Sequence, residues 1–454
     1  MTCRTTKAAL HCWIPKQKLP LIQHGTRKLL SMTQISFHYD FHAVGQGLFA
    51  SGHLNQNWPP SEQKFNWVFD CGTSSKQAYL QRELARFQSD IRGMPIGLFC
   101  LSHFDEDHVN GARDLLSQQR VDTLVMPYFT FVERMQIASS TPDLTDDYFA
   151  FLVDPPGYMF TTAGDNLGEI IFILGGGEPP TEESQRIQQP SSPDQDGNTP
   201  WTFDPPNVEP YKPSAPEDLF GVTVNPSRMQ DVRVFRHQEP FSVGSYWEFQ
   251  FFNEHFPDTK TFYVRAQVAK LVARFRRANG SFEGANLVNR LKKFYPREFG
   301  TSSQAKNKIS LVVYSGPVIN ATEPNGMLWG SIIPASTGRP FWSFPSLLLN
   351  PPSQSSGVLY FGDFPLNKPE KLDTLQRHFG PARWEKIGVV QVPHHGSIRS
   401  WFKGASASFR PNASVISSRR TSKNYPNEIV LDDLGIHGIV LVNERQRAKF
   451  EGRI

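Results

Sequence analysis

Cysteine is scarce, with four among 454 residues, and no two of them form a Cys-x-x-Cys pair. Without that spacing a zinc finger is excluded, and so few thiols fit a reducing compartment. Cys3 and Cys12 lie in the first 31 residues. Cys71 and Cys100 close two apolar runs beside acidic and imidazole groups, where a structural disulfide is not expected. No apolar run reaches the roughly 18–20 residues that a membrane-spanning helix needs, so a cytoplasmic chain is expected. There is no internal repeat. A strong charge of one sign is also missing. The formal net charge is +4, but residues 1–31 hold Arg4, Lys7, Lys16, Lys18, Arg27 and Lys28 and no acid. Taking these six from the 47 basic residues leaves 41 against 43 acids, so the body of the chain is near neutral.

The basic stretch 1–31 reads as a disordered tail or an upstream start, with an Arg-bearing, acid-free transit-type peptide as the alternative. Pro15, Lys16 and Lys18 break its apolar stretch, which argues against a secretory signal. Ile35, Phe37, Tyr39 and Phe41 then recur at a period of two and predict the first strand. Residues 32–125 read as strands and turns with a helix at Ala112–Gln119. Residues 301–454 return to short apolar strands alternating with helices such as Lys368–His378. Between them, 126–300 reads as an insertion. Its stretch 175–217 is dense in Pro, Gly, Ser and acids and predicts a flexible or extended loop. Phe262–Arg277 predicts a helix with a basic face of Arg265, Lys270, Arg274, Arg276 and Arg277. That face suits a phosphate backbone, but Val264, Val268, Leu271 and Phe275 equally describe a solvated amphipathic helix.

The densest chemistry follows the apolar run Ile96, Leu98, Phe99 and Leu101. His103, Asp105, Glu106, Asp107 and His108 bring two imidazoles and three carboxylates into six residues. Oxygen donors beside imidazoles suit Zn²⁺, Mn²⁺ or Fe²⁺, and an acid-rich set is more often dinuclear than mononuclear. Three other apolar runs also end in ligand-type residues: Val68–Phe69 in Asp70, Val358–Phe361 in Gly362–Asp363, and Val389–Val392 in Pro393–His394–His395–Gly396–Ser397. Taken singly, each His or Asp is more simply a capped turn or a satisfied core group. Four such strand ends in one chain point to a metal cleft.

In order, His42–Ala43–Val44–Gly45–Gln46–Gly47, Asp70–Cys71–Gly72, Ser102–His103–Phe104–Asp105–Glu106–Asp107–His108, Asn307–Lys308–Ile309–Ser310–Leu311–Val312, Gly362–Asp363 and Pro393–Ser397 resemble the blocks of metallo-β-lactamase-fold hydrolases. Within that superfamily they are most similar to the hydrolase domain of ComEC-type competence proteins. The resemblance implies an α/β fold, the αββα four-layer sandwich. It implies a metal-dependent phosphodiesterase or nuclease that uses a hydroxide bridging two divalent ions, zinc foremost with manganese or iron as alternatives. It further implies one ion on His103, Asp105 and either His394 or His395, and a second on Asp107 and His108. Asp363 bridges the two and counts with Asp107 and His108 as catalytic. Asp70 and Asn307 stand behind the ligands, and Gly396 and Ser397 meet the phosphate of a phosphodiester substrate, nucleic acid among the candidates.

The chain departs from the family pattern twice. Between the first motif and Gly362–Asp363 it offers Asn307 or Ser310 where a histidine is common. The late Tyr-Gly-His-Pro block is replaced by Asn424–Tyr425–Pro426, with His437 as a substitute or, in its apolar setting, a structural histidine. Other hydrolysis on the same site (lactam or thioester) and a non-catalytic binding module of the same fold are the alternative readings. Oligomeric state is not set by the sequence.

Overall fold

Ile35, Phe37, Tyr39 and Phe41 are buried while Ser36, His38 and Asp40 between them are half-buried, and this alternation is strand β1 (Ile35–Phe41). The computed structural model describes residues 35–58, 61–141, 143–176, 201, 203–204, 209–210, 226–235, 239–244, 246–254, 270, 274, 290, 293, 310–318, 328–336, 342–344, 355–435 and 438–453. The chain divides after Thr33 into two units, and every described residue belongs to the second.

The remaining strands are β2 (Phe49–Trp58), β3 (Ser61–Cys71), β4 (Ile96–Cys100), β5 (Val121–Pro127), β6 (Leu167–Ile173), β7 (Phe203–Asp204), β8 (Glu209–Pro210), β9 (Val232–Phe235), β10 (Phe241–Val243), β11 (Trp247–Phe252), β12 (Val312–Pro317), β13 (Trp329–Pro334), β14 (Trp342–Phe344), β15 (Gly357–Tyr360), β16 (Ile387–Gln391), β17 (Ala413–Ser417), β18 (Ile439–Val442) and β19 (Gln446–Arg453). Helices with described bounds are α1 (Gln77–Ile91), α2 (Glu106–Val109), α3 (Ala112–Gln118), α4 (Phe131–Ser140), α5 (Asp146–Val153), α6 (Pro155–Ala163), α7 (Pro369–Trp384), α8 (Ser406–Phe409) and α9 (Glu428–Leu434).

Among the described residues the strands form two mixed sheets. One has eleven strands in the order β14-β13-β19-β1-β2-β3-β4-β5-β6-β9-β8, the other eight in the order β18-β17-β16-β15-β12-β11-β10-β7. Pairing is parallel along β3-β4-β5-β6-β9 and along β15-β16-β17-β18. The described parts of 126–300 supply β6, β8 and β9 to the first sheet and β7, β10 and β11 to the second. Most of the Pro-rich stretch 175–217 lies outside the described residues, as does most of the basic stretch 262–277, of which Lys270 and Arg274 are helical and exposed.

Among the described residues, buried apolar side chains gather in three clusters. Alternate residues of β4 serve two of them: Phe99 packs with Leu84 and Phe87 of α1, while Leu98 and Cys100 pack with Trp247 and Phe249 of β11. β15 splits likewise, Tyr360 entering the cluster shared by both sheets and Leu359 joining Leu375 and Phe379 of α7. Aromatic pairs join the sheets: Phe69 stacks on Tyr360 with ring centroids 4.6 Å apart. Helix α1 has a similar logic, since Leu80, Leu84, Phe87 and Ile91 fall on one buried stripe and Arg92 closes it at φ 52°.

Buried Glu83 of α1 anchors the turn that follows β1. Arg82 and Arg86 each lie 2.9 Å from its carboxylate, and His42 Nδ1 lies at 3.7 Å. Burial opposes its charge, but His42, Arg86 and Arg82 outweigh that and hold the carboxyl at about 2.

Candidate metal centre

Parallel pairing places chemistry-bearing residues together. β3 and β4 are adjacent and parallel, so Asp70 and the loop that begins at Leu101 leave the first sheet at the same edge. β15 and β16 are likewise adjacent and parallel, so Asp363 and His394–His395 leave the second sheet together. Carboxyl ends of parallel strands are where open α/β sheets hold ligands. Two glycines permit the convergence. A Cβ on Gly72 would lie 2.6 Å from the Asp107 oxygen and the His108 nitrogen, and one on Gly362 (φ 54°) would lie 2.4 Å from Ser102 Oγ. The turn after β1 packs behind the same segment, with the Leu48 amide donating to the Asp107 carbonyl at 3.3 Å.

Each of the four histidines is tethered through Nδ1. His108 Nδ1 meets Asp70 Oδ2 at 2.7 Å, and His395 Nδ1 meets the Ser417 carbonyl at 2.8 Å. His103 Nδ1 meets Ser102 Oγ at 2.8 Å, and His394 Nδ1 meets Ser400 Oγ at 3.0 Å. Carboxylate and carbonyl can only accept. The Ser102 hydroxyl spends its proton on Asp70 Oδ2, at 2.6 Å, and is left to accept as well. At His103, His108 and His395 the proton therefore sits on Nδ1, which leaves the Nε2 lone pair open. The Nε2 atoms of His103 and His108 are buried without a well-formed hydrogen bond among the described residues.

These Nε2 atoms face two carboxylates. Asp363 Oδ2 lies 3.8 Å from His103 and 3.7 Å from His394, and its Oδ1 lies 3.3 Å from His108. Asp107 Oδ2 lies 3.4 Å from His395. Asp107, His108 and His395 each offer a ligand atom within 4.8 Å of the others, as do Asp70, His103 and His108. In the second set Asp70 is better read as a support than as a ligand. Its Oδ1 already accepts from the Ser102 amide at 2.6 Å, while its Oδ2 is shared by the Ser102 hydroxyl and His108. Such a carboxylate orients an imidazole and raises its basicity.

The electrostatics agree with a cation in the middle. Burial disfavours charge at every one of these groups. At His108 the carboxylates of Asp70, Asp363 and Asp107 outweigh it and push the imidazole well above its ordinary value. At Asp107 the charge of His108 and the contact with His395 hold the carboxyl at about 2. His394, His108 and His103 hold Asp363 well below the usual carboxylate range. For His103, burial wins and, with the charge of His108, lowers the value. Three carboxylates that favour a proton on His108 favour another cation in the same place. Backbone strain gathers here as well: Asp70, His394 and His395 have φ of 54°, 48° and 57°, a conformation that costs non-glycine residues on the order of 1–3 kcal/mol each and concentrates at functional sites.

Compared with protein-family models and with curated proteins, the chain matches none.

The geometry therefore brings together His103, Asp107, His108, Asp363, His394 and His395, with Asp70 behind them. His394 and His395 do not compete for one place, since the first faces Asp363 and the second Asp107. Asp105 joins neither ligand grouping; it is the residue before α2, half-buried, and makes no side-chain cap there. Asn307 and His437 lie outside the described residues. Ser310 is a support: its hydroxyl donates to the Phe361 carbonyl at 3.2 Å and accepts from the Asp363 amide at 3.2 Å. The Ser397 amide is committed to the His394 carbonyl at 2.9 Å and its hydroxyl accepts from the Arg399 amide at 3.3 Å, while the residue lines the neighbouring cavity. Gly396 takes φ 78°.

The sequence reading assigned no role to Ser102, Ser400 and Gln391. Gln391 Oε1 accepts from the amides of Phe361 and Gly362 at 2.8 and 2.7 Å, which fixes the turn that presents Asp363. Its one legible signal is an amide side chain inside an otherwise apolar strand. Cys71 and Cys100 are free, and burial pushes both thiols up, with Asp70 adding to the effect. Among the described residues no helix is long and apolar enough to cross a membrane.

Proposed function

We propose that this chain is a metal-dependent phosphodiesterase with the four-layer αββα arrangement of the metallo-β-lactamase fold. The observation that carries the reading is the set of four Nδ1-tethered histidines whose Nε2 atoms face Asp363 and Asp107. The donor set is nitrogen and oxygen in borderline balance, which suits zinc, with manganese or iron as alternatives. His103, His394 and one oxygen of Asp363 would hold one ion; Asp107, His108, His395 and the other oxygen of Asp363 would hold a second. Two such ions supply Lewis acidity, acidifying a water and neutralising charge that develops on a phosphoryl group.

The chain's own contribution is preorganisation. Asp70 and Ser102 fix two imidazoles from one sheet, and Ser400 and the Ser417 carbonyl fix two from the other. Gln391 and Ser310 hold the turn beneath Asp363, so the carboxylate between the two halves does not reorganise during turnover. Low exposure of His103, His108 and Asp363, at 1, 1 and 4 %, keeps water from competing for these donors.

The test is hydrolysis of bis-p-nitrophenyl phosphate. We expect turnover stimulated by Mn²⁺ or Zn²⁺, abolished by chelation and restored on adding either ion back. Preferential turnover of a lactam or thioester would move the site to another hydrolase class. A protein equally inert with and without metal towards every such substrate would instead be a binding module.

A further inference from the structure

Beside the histidine pair lies a cavity of about 1020 Å³ that the reaction as drawn above does not use. Its lining includes Ser397, directly after His394–Gly396, and Tyr425. The Tyr425 ring lies 5.9 Å from His394 and 6.1 Å from His395, centroid to centroid, so the cavity adjoins the candidate metal centre. Its lining carries Arg399, Arg419, Arg420 and Lys423 against one carboxylate, Glu428. In a chain body that is otherwise near neutral, four cations on one concave wall are a local excess.

The cations differ in what they do. Arg419 is structural, its guanidinium donating to the Ser74 carbonyl at 3.2 Å. Arg420 is placed by its backbone, whose amide donates to Glu444 Oε2 at 3.1 Å. The side chains of Arg399, Arg420 and Lys423 are exposed and make no ion pair among the described residues. Guanidinium groups bind phosphate through paired donors and an ammonium binds it as a point charge. A concave wall with low-dielectric sides strengthens their field.

Resting on the phosphodiesterase reading, we propose that this cavity is a second phosphate subsite, so that the substrate is a phosphodiester bearing a further phosphate on the same molecule. The scissile phosphate sits at the histidine–aspartate centre and the second on Arg399, Arg420 and Lys423. Tyr425, between the two, offers a ring face to whatever links them, and a nucleoside base fits that role.

The experiment is a calorimetric titration of the full chain in chelator, where no turnover occurs, with the dinucleotides TpT and pTpT. The added terminal phosphate should tighten binding at least tenfold. In the variant Arg399→Ala, Arg420→Ala, Lys423→Ala that gain should fall below twofold. Glu428→Gln, which removes the one carboxylate without removing a cation, should enlarge the gain about twofold and guards against a triple variant that folds poorly. Competition by inorganic tripolyphosphate would assign the subsite to phosphate alone; failure to compete, with the pTpT gain intact, would assign it to phosphate borne on a nucleoside. Equal affinity for TpT and pTpT in the unaltered chain, or a gain that survives the triple substitution, overturns the proposal. Loss of chromogenic turnover with the pTpT gain intact would instead overturn the phosphodiesterase reading and leave the subsite standing.

Discussion

Asp363→Ala is expected to lower kcat/KM for bis-p-nitrophenyl phosphate at least 10³-fold at saturating metal, roughly 4 kcal/mol of transition-state stabilisation. The size of the effect follows from position. Asp363 faces three of the four histidines, Oδ2 towards His103 and His394 and Oδ1 towards His108. It meets two imidazoles from the first sheet and one from the second, so its removal takes contacts from both halves of the centre at once. The turn that presents it does not depend on its side chain, because Gln391 and Ser310 hold that turn through backbone groups. The variant should therefore fold. Asp363→Asn keeps shape while losing charge and should be nearly as inactive. Retention of more than a tenth of the activity in either variant would remove Asp363 from the centre.

Asp70→Asn addresses the supporting layer. Asp70 is fully buried and spends both oxygens on Ser102 and His108. An amide of the same size accepts at one position only, so either the Ser102 amide loses its acceptor or the Ser102 hydroxyl and His108 Nδ1 lose theirs together. Removing such a support typically weakens metal affinity 10–100-fold, and stability should fall by about 1–3 kcal/mol for the unsatisfied buried group. Asparagine tolerates the left-handed conformation that Asp70 adopts at φ 54°, so backbone strain is not the source of the effect. The readout is metal competition against a chromophoric chelator, with kcat at saturating metal falling less than affinity. Unchanged affinity would show that Asp70 stabilises the fold without tuning the centre.

Local pattern reached a good part of this arrangement. The period-two run of β1 is visible as Ile35, Phe37, Tyr39 and Phe41, and the acid–imidazole cluster at 103–108 announces a strand end. The helix expected at Ala112–Gln119 is α3, Ala112–Gln118. The one expected at Lys368–His378 is the first part of α7, which breaks at Gly380 (φ 75°, ψ 160°) before Pro381 and resumes to Trp384. What the sequence could not order was apposition. Nothing local separates His394 from His395, because their difference is which carboxylate of another strand each meets. Asp105 has the right spacing in the motif and its charge acts on His103, yet it joins neither of the groupings that Asp107 and His108 enter. Ser102 links its neighbour His103 to Asp70, 32 residues away, while Ser400 and Gln391 act through partners 6 and 30 residues away, and a serine or glutamine carries no signature of that.

Elemental analysis of the purified chain reaches the central claim most directly. The account predicts two equivalents of zinc, manganese or iron per chain, and at most one in the double variant Asp107→Ala, His108→Ala, which removes two of the donors around His395. A chain with no transition metal after reconstitution, or a double variant holding the full complement, would contradict it.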